Sequence, residues 1–241
     1  GAVFLLACGG PWEVPVCVHA RHRSRRTRRI AHSHWICRTG SSAHAAIGRK
    51  RIPQSVVLPF VKLLLDTCVL YPTVMREMLI GAAKAGAFEP FWSERILEEW
   101  RRASLKHGEG AAQEVLGEAV FLNAAFPKAV VRYNADQEAR FWLPDPSDIH
   151  VLAAAVIVGA DGIVTLNNKD FPSDILAEEG LSRVNPDAFL LGVWQASPEK
   201  IGPVAQSVLE KANAFSDKTW SMKSLMKKAR LPRLGKALSE A

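Results

Sequence analysis

The sequence lacks any apolar run long enough to cross a membrane. A spanning helix needs about 20 predominantly apolar residues, and no stretch of this chain supplies them. The only candidate for a secretory signal is the short apolar stretch at residues 3–7, and no basic residue precedes it. We therefore expect no attachment to a membrane.

Cysteine is scarce in the part of the chain that we expect to fold. Of the four cysteines, Cys8, Cys17 and Cys37 lie near the start, and only Cys68 lies in the body of the sequence. Small disulfide-stabilised domains need several pairable cysteines. The composition therefore excludes that class and predicts a reduced, cytoplasmic setting.

The chain also lacks a uniform charge, although its net charge is +7. Residues 1–60 carry a net charge of +9, residues 61–216 carry −7, and residues 217–241 carry +5. A strongly basic chain is typical of nucleic-acid binding. Because the middle of this chain is acidic, the net charge alone does not predict that function.

Residues 1–56 show no sustained strand or helix period, and residues 21–29 form a basic run. One alternative is a nucleic-acid-binding arm. Another is a zinc site, for which the candidate ligands are Cys17, His19, His22, His32, His34 and Cys37. Zinc ligands usually come in tight pairs around a turn, such as C-x2-C with H-x3-H, and this spacing fits no such pattern. We predict a disordered basic extension, or upstream sequence translated from a misassigned start.

From about residue 57 the pattern becomes regular. Four short apolar runs predict strands, at residues 61–66, 88–92, 129–133 and 162–166. Four stretches with helical spacing lie among them, at residues 73–85, 93–105, 111–125 and 150–158. Ser93 can cap the second of these helices, and Gly159 is expected to end the fourth. Strands that alternate with helices predict a central parallel sheet flanked by helices in three layers, with ligands bound at the carboxyl ends of the strands.

The last part of the chain, residues 188–241, is predicted to be an all-helical region with a basic tail. Asn185-Pro186 and Ser197-Pro198 are typical of helix starts. The apolar spacing at 204, 208, 209 and 212 predicts an amphipathic helix. We therefore divide the chain into the extension at 1–56, an α/β domain at 57–187 and this helical region.

Several carboxylates stand where strands end. Asp66 ends the first strand, Asp145 and Asp148 begin an apolar helix, and Asp170 follows the last strand. In a parallel sheet these positions converge on one edge, and crowded carboxylates repel one another unless a cation neutralises them. Oxygen ligands of this kind suit Mg²⁺ or Mn²⁺.

Asp145 and Asp148 also have a structural alternative, which does not extend to Asp66. Asp145 before Pro146 suits a helix N-cap, and Asp148 in the first turn complements the helix dipole. On the predicted helix at 93–105, Glu98 points to solvent, whereas Glu99 flanks the buried face and can reach inward. Taken alone, Glu99 would be a solvated surface charge.

Four segments taken together resemble the PIN-domain family, and within it the branch that includes VapC-type toxin ribonucleases. They are LDTCVL at 65–70, SERILEEW at 93–100, DPSDIHVLAAA at 145–155 and IVTLNNKDFP at 163–172. The resemblance covers about residues 58–190. It implies a PIN fold, divalent-metal RNA cleavage and a cognate antitoxin partner, and we also expect a homodimer.

By motif position, the resemblance implies that Asp66, Glu99 and Asp148, with Asp145 beside them, are the metal ligands. The family strand usually leads to an aspartate where this chain has Asn167. Asp170 is the candidate to compensate.

The expected mechanism is hydrolysis of a phosphodiester bond, in which one or two metal ions activate water and stabilise charge on the reacting oxygens. Thr165 and Asn167 are predicted to orient that water or a phosphate oxygen. A nucleophilic thiol at Cys68 is a weaker alternative than packing, since no base lies near it in the sequence. His150 is expected to lie in the core or to contact substrate.

Two other functions remain open. A phosphatase that uses a strand-end aspartate needs a second aspartate two residues later, where this chain has Cys68. A non-catalytic RNA-binding or regulatory module would keep the basic tail and lose a metal ligand, which fits Asn167. Within the ribonuclease interpretation, a toxin and an RNA-processing nuclease both fit the sequence.

Overall fold

In the computed structural model of the chain, residues 61–241 are described. The predictions made for residues 1–56, with the candidate zinc ligands among them, lie outside the described residues.

The centre of the fold is a five-stranded sheet in which every pairing is parallel. The strand order is β3-β2-β1-β4-β5. The strands are β1 (Lys62–Leu65), β2 (Glu89–Ser93), β3 (Val130–Val131), β4 (Gly162–Val164) and β5 (Ser182–Val184). Because the strands are parallel, their carboxyl ends share one side of the sheet, which we call the carboxyl edge.

Helices flank this sheet and form the whole of the C-terminal region. In chain order they are α1 (Thr67–Leu70), α2 (Thr73–Lys84), α3 (Glu94–Ser104), α4 (Glu109–Ala125), α5 (Ala135–Glu138), α6 (Ile149–Val158), α7 (Ser173–Glu178), α8 (Pro186–Ala196), α9 (Pro198–Ala214), α10 (Met222–Lys228) and α11 (Pro232–Ser239). Single 3₁₀ turns lie at Leu105–His107 and Pro146–Asp148.

The central position of β1 follows from its composition. Leu63, Leu64 and Leu65 are all buried, as expected for a strand covered on both faces. β1 pairs with β2 on one side and with β4 on the other. The carboxylate of the next residue, Asp66, is therefore placed at the middle of the carboxyl edge.

Two helix boundaries depend on residues that the sequence identified. The Ser93 hydroxyl accepts a hydrogen bond from Ile96 N at 3.2 Å, which caps α3 as predicted. At the end of α6, Gly159 adopts a left-handed conformation with φ of 62°, which favours glycine. The chain can then turn directly from α6 into β4.

The C-terminal helices pack on the rest of the described chain. α9 packs against α2 and α8, and α11 packs against α8 and α10. The buried face of α9 is formed by Ile201, Ala205, Val208 and Ala212. Asn185 caps α8 through its side chain, whereas the side chain of Ser197 makes no capping hydrogen bond.

The predicted fold class is confirmed: the central sheet is parallel, helices flank it, and the C-terminal region is helical. The predicted strands and helices of the body are all present, with shifts of a few residues at their ends. The short elements α1, α5, α7 and β5 were not predicted, because each has six or fewer residues and shows too little periodicity. None of the helices in residues 61–241 combines the length and apolar character needed to cross a membrane.

Candidate functional site

The carboxyl edge collects the acidic residues that the sequence singled out. Asp66 follows β1, and Thr165 and Asn167 follow β4. Asp145 and Asp148 lie at the 3₁₀ turn that precedes α6, and Asp170 lies in the loop between β4 and α7. Residues separated by about 100 positions in the sequence therefore meet at one place.

The tightest group in this region is formed by Asp145, Asp148 and Asp170. One carboxylate oxygen from each residue lies within 4.8 Å of the others, and all three side chains are partly buried. Opposite ligands of a magnesium ion stand about 4.2 Å apart. The three oxygens are therefore nearly close enough to bind one cation directly.

Asp148 is the electrostatic centre of this group. Burial, together with the negative charges of Asp66, Asp145, Asp170 and Glu99, raises its pKa to about 7. Among the described residues, no lysine or arginine forms an ion pair with Asp148. Repulsion among these carboxylates thus disfavours the charged form of Asp148, and a bound cation would relieve that repulsion.

Asp66 lies beside this group and is only 7% exposed. Its Oδ2 accepts hydrogen bonds from the Thr165 hydroxyl at 2.7 Å and from the Cys68 thiol at 2.9 Å. Burial raises the pKa of Asp66, and these hydrogen bonds oppose that shift. The carboxylate is therefore held rigidly with one oxygen bound by the protein.

Thr165 and Cys68 belong to the network that fixes the end of β4. The Thr165 hydroxyl accepts from Asn167 N at 2.9 Å, and the Cys68 sulfur accepts from Leu166 N at 3.2 Å. Burial and the adjacent Asp66 charge raise the pKa of the Cys68 thiol well above its usual range. A protonated thiol is a poor nucleophile, so this geometry favours packing as the role of Cys68.

Asn167 contacts the acidic group through its side chain. Its Nδ2 donates to Asp148 Oδ2 at 3.3 Å. The position where the resemblance leads us to expect a carboxylate thus bears an amide that donates to one of the candidate ligands.

Glu99, on α3, is contacted by three residues: Thr67, Arg95 and His150. Its Oε2 accepts from the Thr67 hydroxyl at 3.1 Å, and its Oε1 lies 3.6 Å from Arg95 Nε. His150 Nε2 approaches the same oxygen to 2.8 Å, but without the alignment of a hydrogen bond. Glu99 is outside the three-carboxylate group, yet its negative charge contributes to the raised pKa of both Asp66 and Asp148.

The His150 side chain is completely buried beneath Glu99, on α6. Neither ring nitrogen has a well-aligned hydrogen-bond partner among the described residues. The prediction that His150 lies in the core is therefore confirmed by its position, and its ring contacts a candidate ligand.

Arg183 supports the site and was missed in the sequence. From β5, its Nη1 donates to the backbone oxygens of Asn168 at 3.0 Å and Phe171 at 2.9 Å. These two bonds hold the loop that carries Asp170. A lone arginine in a three-residue strand has no distinguishing pattern, so no local signal identified it.

An open cleft of about 520 Å³ borders the site. It is lined by Arg95, Ala135, Glu138, Ala139, Phe141 and Ile149. Arg95 contacts Glu99, and Ile149 directly follows Asp148. The cleft therefore offers space for a ligand next to the carboxylates.

Comparison with models of known protein families gives a match for the part of the chain that carries the site. Residues 62–169 match the family model of the PIN domain, a fold whose members are typically metal-dependent nucleases. The matched segment runs from β1 to the residue before Asp170, so it contains Asp66, Glu99, Asp145 and Asp148. No curated protein and no solved structure shows a significant similarity to the chain.

Proposed function

We propose that the chain is a divalent-metal-dependent endoribonuclease that hydrolyses RNA phosphodiester bonds. The observation that carries this proposal is the group formed by Asp145, Asp148 and Asp170 at the carboxyl edge of a PIN-like sheet. Its carboxylates repel one another, as the raised pKa of Asp148 indicates, and their oxygen donors suit Mg²⁺ or Mn²⁺.

In this proposal Asp66, Glu99, Asp145 and Asp148 hold the metal, and Asp170 supports the same position. Mg²⁺ or Mn²⁺ bound there would supply Lewis-acid activation of water and neutralisation of phosphate charge. The donor set fits such an ion because it consists of carboxylate oxygens alone.

The surrounding residues orient these ligands. The Thr165 hydroxyl donates to Asp66, the Thr67 hydroxyl donates to Glu99, and the Asn167 amide donates to Asp148. A ligand that is already oriented loses less freedom when the ion binds, and the partners that orient metal ligands typically contribute about 10- to 100-fold to affinity or activity. Thr165 and Asn167 also remain our candidates for orienting the attacking water.

The biological role that we propose is the toxin of a type II toxin–antitoxin pair acting in the cytoplasm, with an antitoxin protein as partner and a homodimer as the assembly. Its support is the resemblance to VapC-type ribonucleases and an exposed apolar face on α4. Leu116, Val120 and Phe121 are 44%, 67% and 69% exposed there, and such patches mark protein contacts.

A non-catalytic RNA-binding module is the second candidate. Asn167 favours it, because this position adds no negative charge for a metal. An RNA-processing nuclease without a toxin role would have the same site as the toxin, so only the choice of RNA separates these two.

The test of the proposal is cleavage of total RNA by the purified chain with Mg²⁺ or Mn²⁺, followed by mapping of the cut ends. We expect cleavage that a chelator abolishes and that added metal restores. Equal cleavage with and without chelator would reject the metal-dependent mechanism. RNA binding without cleavage at any metal concentration would favour the binding module.

The contacts of Arg183 lead to a prediction on metal affinity. Arg183→Gln should raise the metal concentration needed for half-maximal cleavage by about 10-fold, because the loop carrying Asp170 loses two backbone hydrogen bonds. A metal titration of the cleavage rate measures this. At saturating metal the rate should return near that of the parent chain, whereas a loss that metal does not rescue would contradict a positioning role.

A further inference from the structure

The α10–α11 hairpin, residues 222–239, carries a concentrated positive charge. Its basic side chains are all exposed, namely Lys223, Lys227, Lys228, Arg230, Arg233 and Lys236. The hairpin contains no acidic residue. Residues 61–216, in contrast, have a net charge of −7, so the hairpin is the main positive surface at this end of the chain.

Little of this charge is neutralised within residues 61–241. Lys236 pairs with Glu240 at 3.9 Å, and both side chains are about two-thirds exposed. Among the described residues the other five basic side chains form no ion pair. Their charge is therefore available to a partner.

The helix dipole does not explain the distribution of these charges. Cations stabilise the last turn of a helix, which accounts for Lys227, Lys228 and Lys236. Lys223 and Arg233, however, lie in the first turns of α10 and α11. A cation is unfavourable there, so these two residues are not placed for helix stability.

Buried apolar residues fix the hairpin against the rest of the protein. Leu225, Met226, Leu231 and Leu234 are buried between the hairpin and the rest of the protein. A Cβ on Gly235 would lie 2.6 Å from Met226 Cβ, so the two helices pack too closely for a larger residue. The basic side chains consequently project from the opposite, solvent-exposed face.

A buried carboxylate attaches the hairpin to the carboxyl edge. Asp187 is 5% exposed and accepts hydrogen bonds from Arg233 N and Leu234 N, both at 3.0 Å. Asp187 stands three residues after Val184, which is the last residue of β5. The Val184 carbonyl accepts a hydrogen bond from Thr165 N at 3.1 Å. The first turn of α11 is thereby placed on the same edge of the sheet as the carboxylates.

From this placement we infer that the exposed face of the α10–α11 hairpin binds the phosphate backbone of single-stranded RNA and holds the substrate beside the carboxylate group. This inference rests on the proposed ribonuclease function, since it names the surface that holds the same substrate. The acidic body repels a polyanion, and the hairpin supplies the attraction that binding needs. Substrate recognition thus extends beyond the catalytic edge.

The test uses the two basic residues that oppose the helix dipoles. We compare Lys223→Gln/Arg233→Gln with the matched pair Lys84→Gln/Lys128→Gln, whose exposed lysines precede β2 and β3 at the other edge of the sheet. Binding of a fluorescent single-stranded RNA is measured by anisotropy over a salt series, in the full chain, with chelator present to prevent cleavage. Thermal unfolding is measured for each protein.

The hairpin pair should weaken binding about 10- to 30-fold near 0.1 M salt and flatten the plot of log affinity against log salt by about 1.4, since each phosphate contact on a single strand contributes about 0.7. Its melting temperature should stay equal or rise, because two unfavourable dipole contacts disappear. The matched pair should leave affinity and slope near those of the parent.

The possible failures are distinguishable. If the hairpin variant keeps the RNA affinity and the salt slope of the parent, the hairpin does not bind RNA, even if the chain cleaves it. If both variants weaken RNA binding equally, the loss reflects only the change in net charge, and the proposed role of the hairpin is wrong. Loss of binding only in the hairpin pair, with no metal-dependent cleavage by the parent, would support the surface and reject the ribonuclease. No RNA binding by the parent would reject both.

Discussion

Asp66→Asn should lower metal-dependent RNA cleavage by at least about 100-fold, because even residues that only orient metal ligands contribute about 10- to 100-fold. The change removes a charge at the centre of the carboxyl edge but keeps an oxygen that can accept from Thr165. The cleavage rate as a function of Mg²⁺ or Mn²⁺ concentration is the measurement.

The fold should survive this substitution. Asp66 is buried, and its burial already disfavours the charged form. Replacing it with a neutral side chain of nearly the same shape should leave the melting temperature of the metal-free protein unchanged or raise it. A large loss of stability would mean that lost cleavage says nothing about the chemistry.

A matched control is available on the neighbouring strand. Asp161 directly precedes β4 at the opposite edge of the sheet, is exposed, and accepts from Lys62 N at 2.8 Å. An asparagine can keep that bond, so Asp161→Asn should cleave like the parent. Full cleavage by Asp66→Asn, or equal losses in both variants, would remove Asp66 from the proposed site.

The second large effect is a fall in the stability of the metal-free protein as the pH rises from about 4 to 7. The folded state raises the pKa of Asp148 from 3.8 to about 7. A raised carboxyl pKa means that the folded state favours the protonated form. The contribution of Asp148 to the stability of the folded state is fully present below about pH 4 and is lost as the pH rises through about 7.

Asp148 is only partly buried, so solvent screening reduces the effect to roughly 1–2 kcal/mol, or a few degrees in melting temperature. Asp148→Asn removes the titrating group and should flatten the profile measured with chelator present. Saturating Mg²⁺ should also oppose the fall, since the ion binds the charged carboxylates.

Asp161→Asn again serves as the control and should keep the pH profile of the parent. Some slope should remain in Asp148→Asn, because burial also raises the pKa of Asp66. A profile for Asp148→Asn that matches the parent would show that Asp148 does not carry the repulsion that we assign to it.

The sequence by itself determined the elements that surround the site. The buried leucines of β1, the Ser93 cap and the glycine that ends α6 act within a few residues, so their effects appear in local periodicity and composition. The same local order placed Asp66 at a strand end and Asp145 and Asp148 at a helix start. The parallel sheet then implied that these carboxylates share one edge.

Only the tertiary structure decided which carboxylates stand closest. Asp170, treated in the sequence as a candidate to compensate for Asn167, completes the tightest group with Asp145 and Asp148, while Asp66 and Glu99 lie beside it. The conformation of the loop after β4 sets this distance. Arg183 holds that loop from β5, a strand too short to predict.

The same distinction applies to the basic tail. Its composition was visible in the sequence, but its position depends on Asp187, which binds backbone groups 46 and 47 residues further along the chain. Contacts of that separation leave no trace in local periodicity. They arise only when the strand order brings the end of β5 beside the site, which is why tertiary structure alone connects the basic hairpin with the carboxylates.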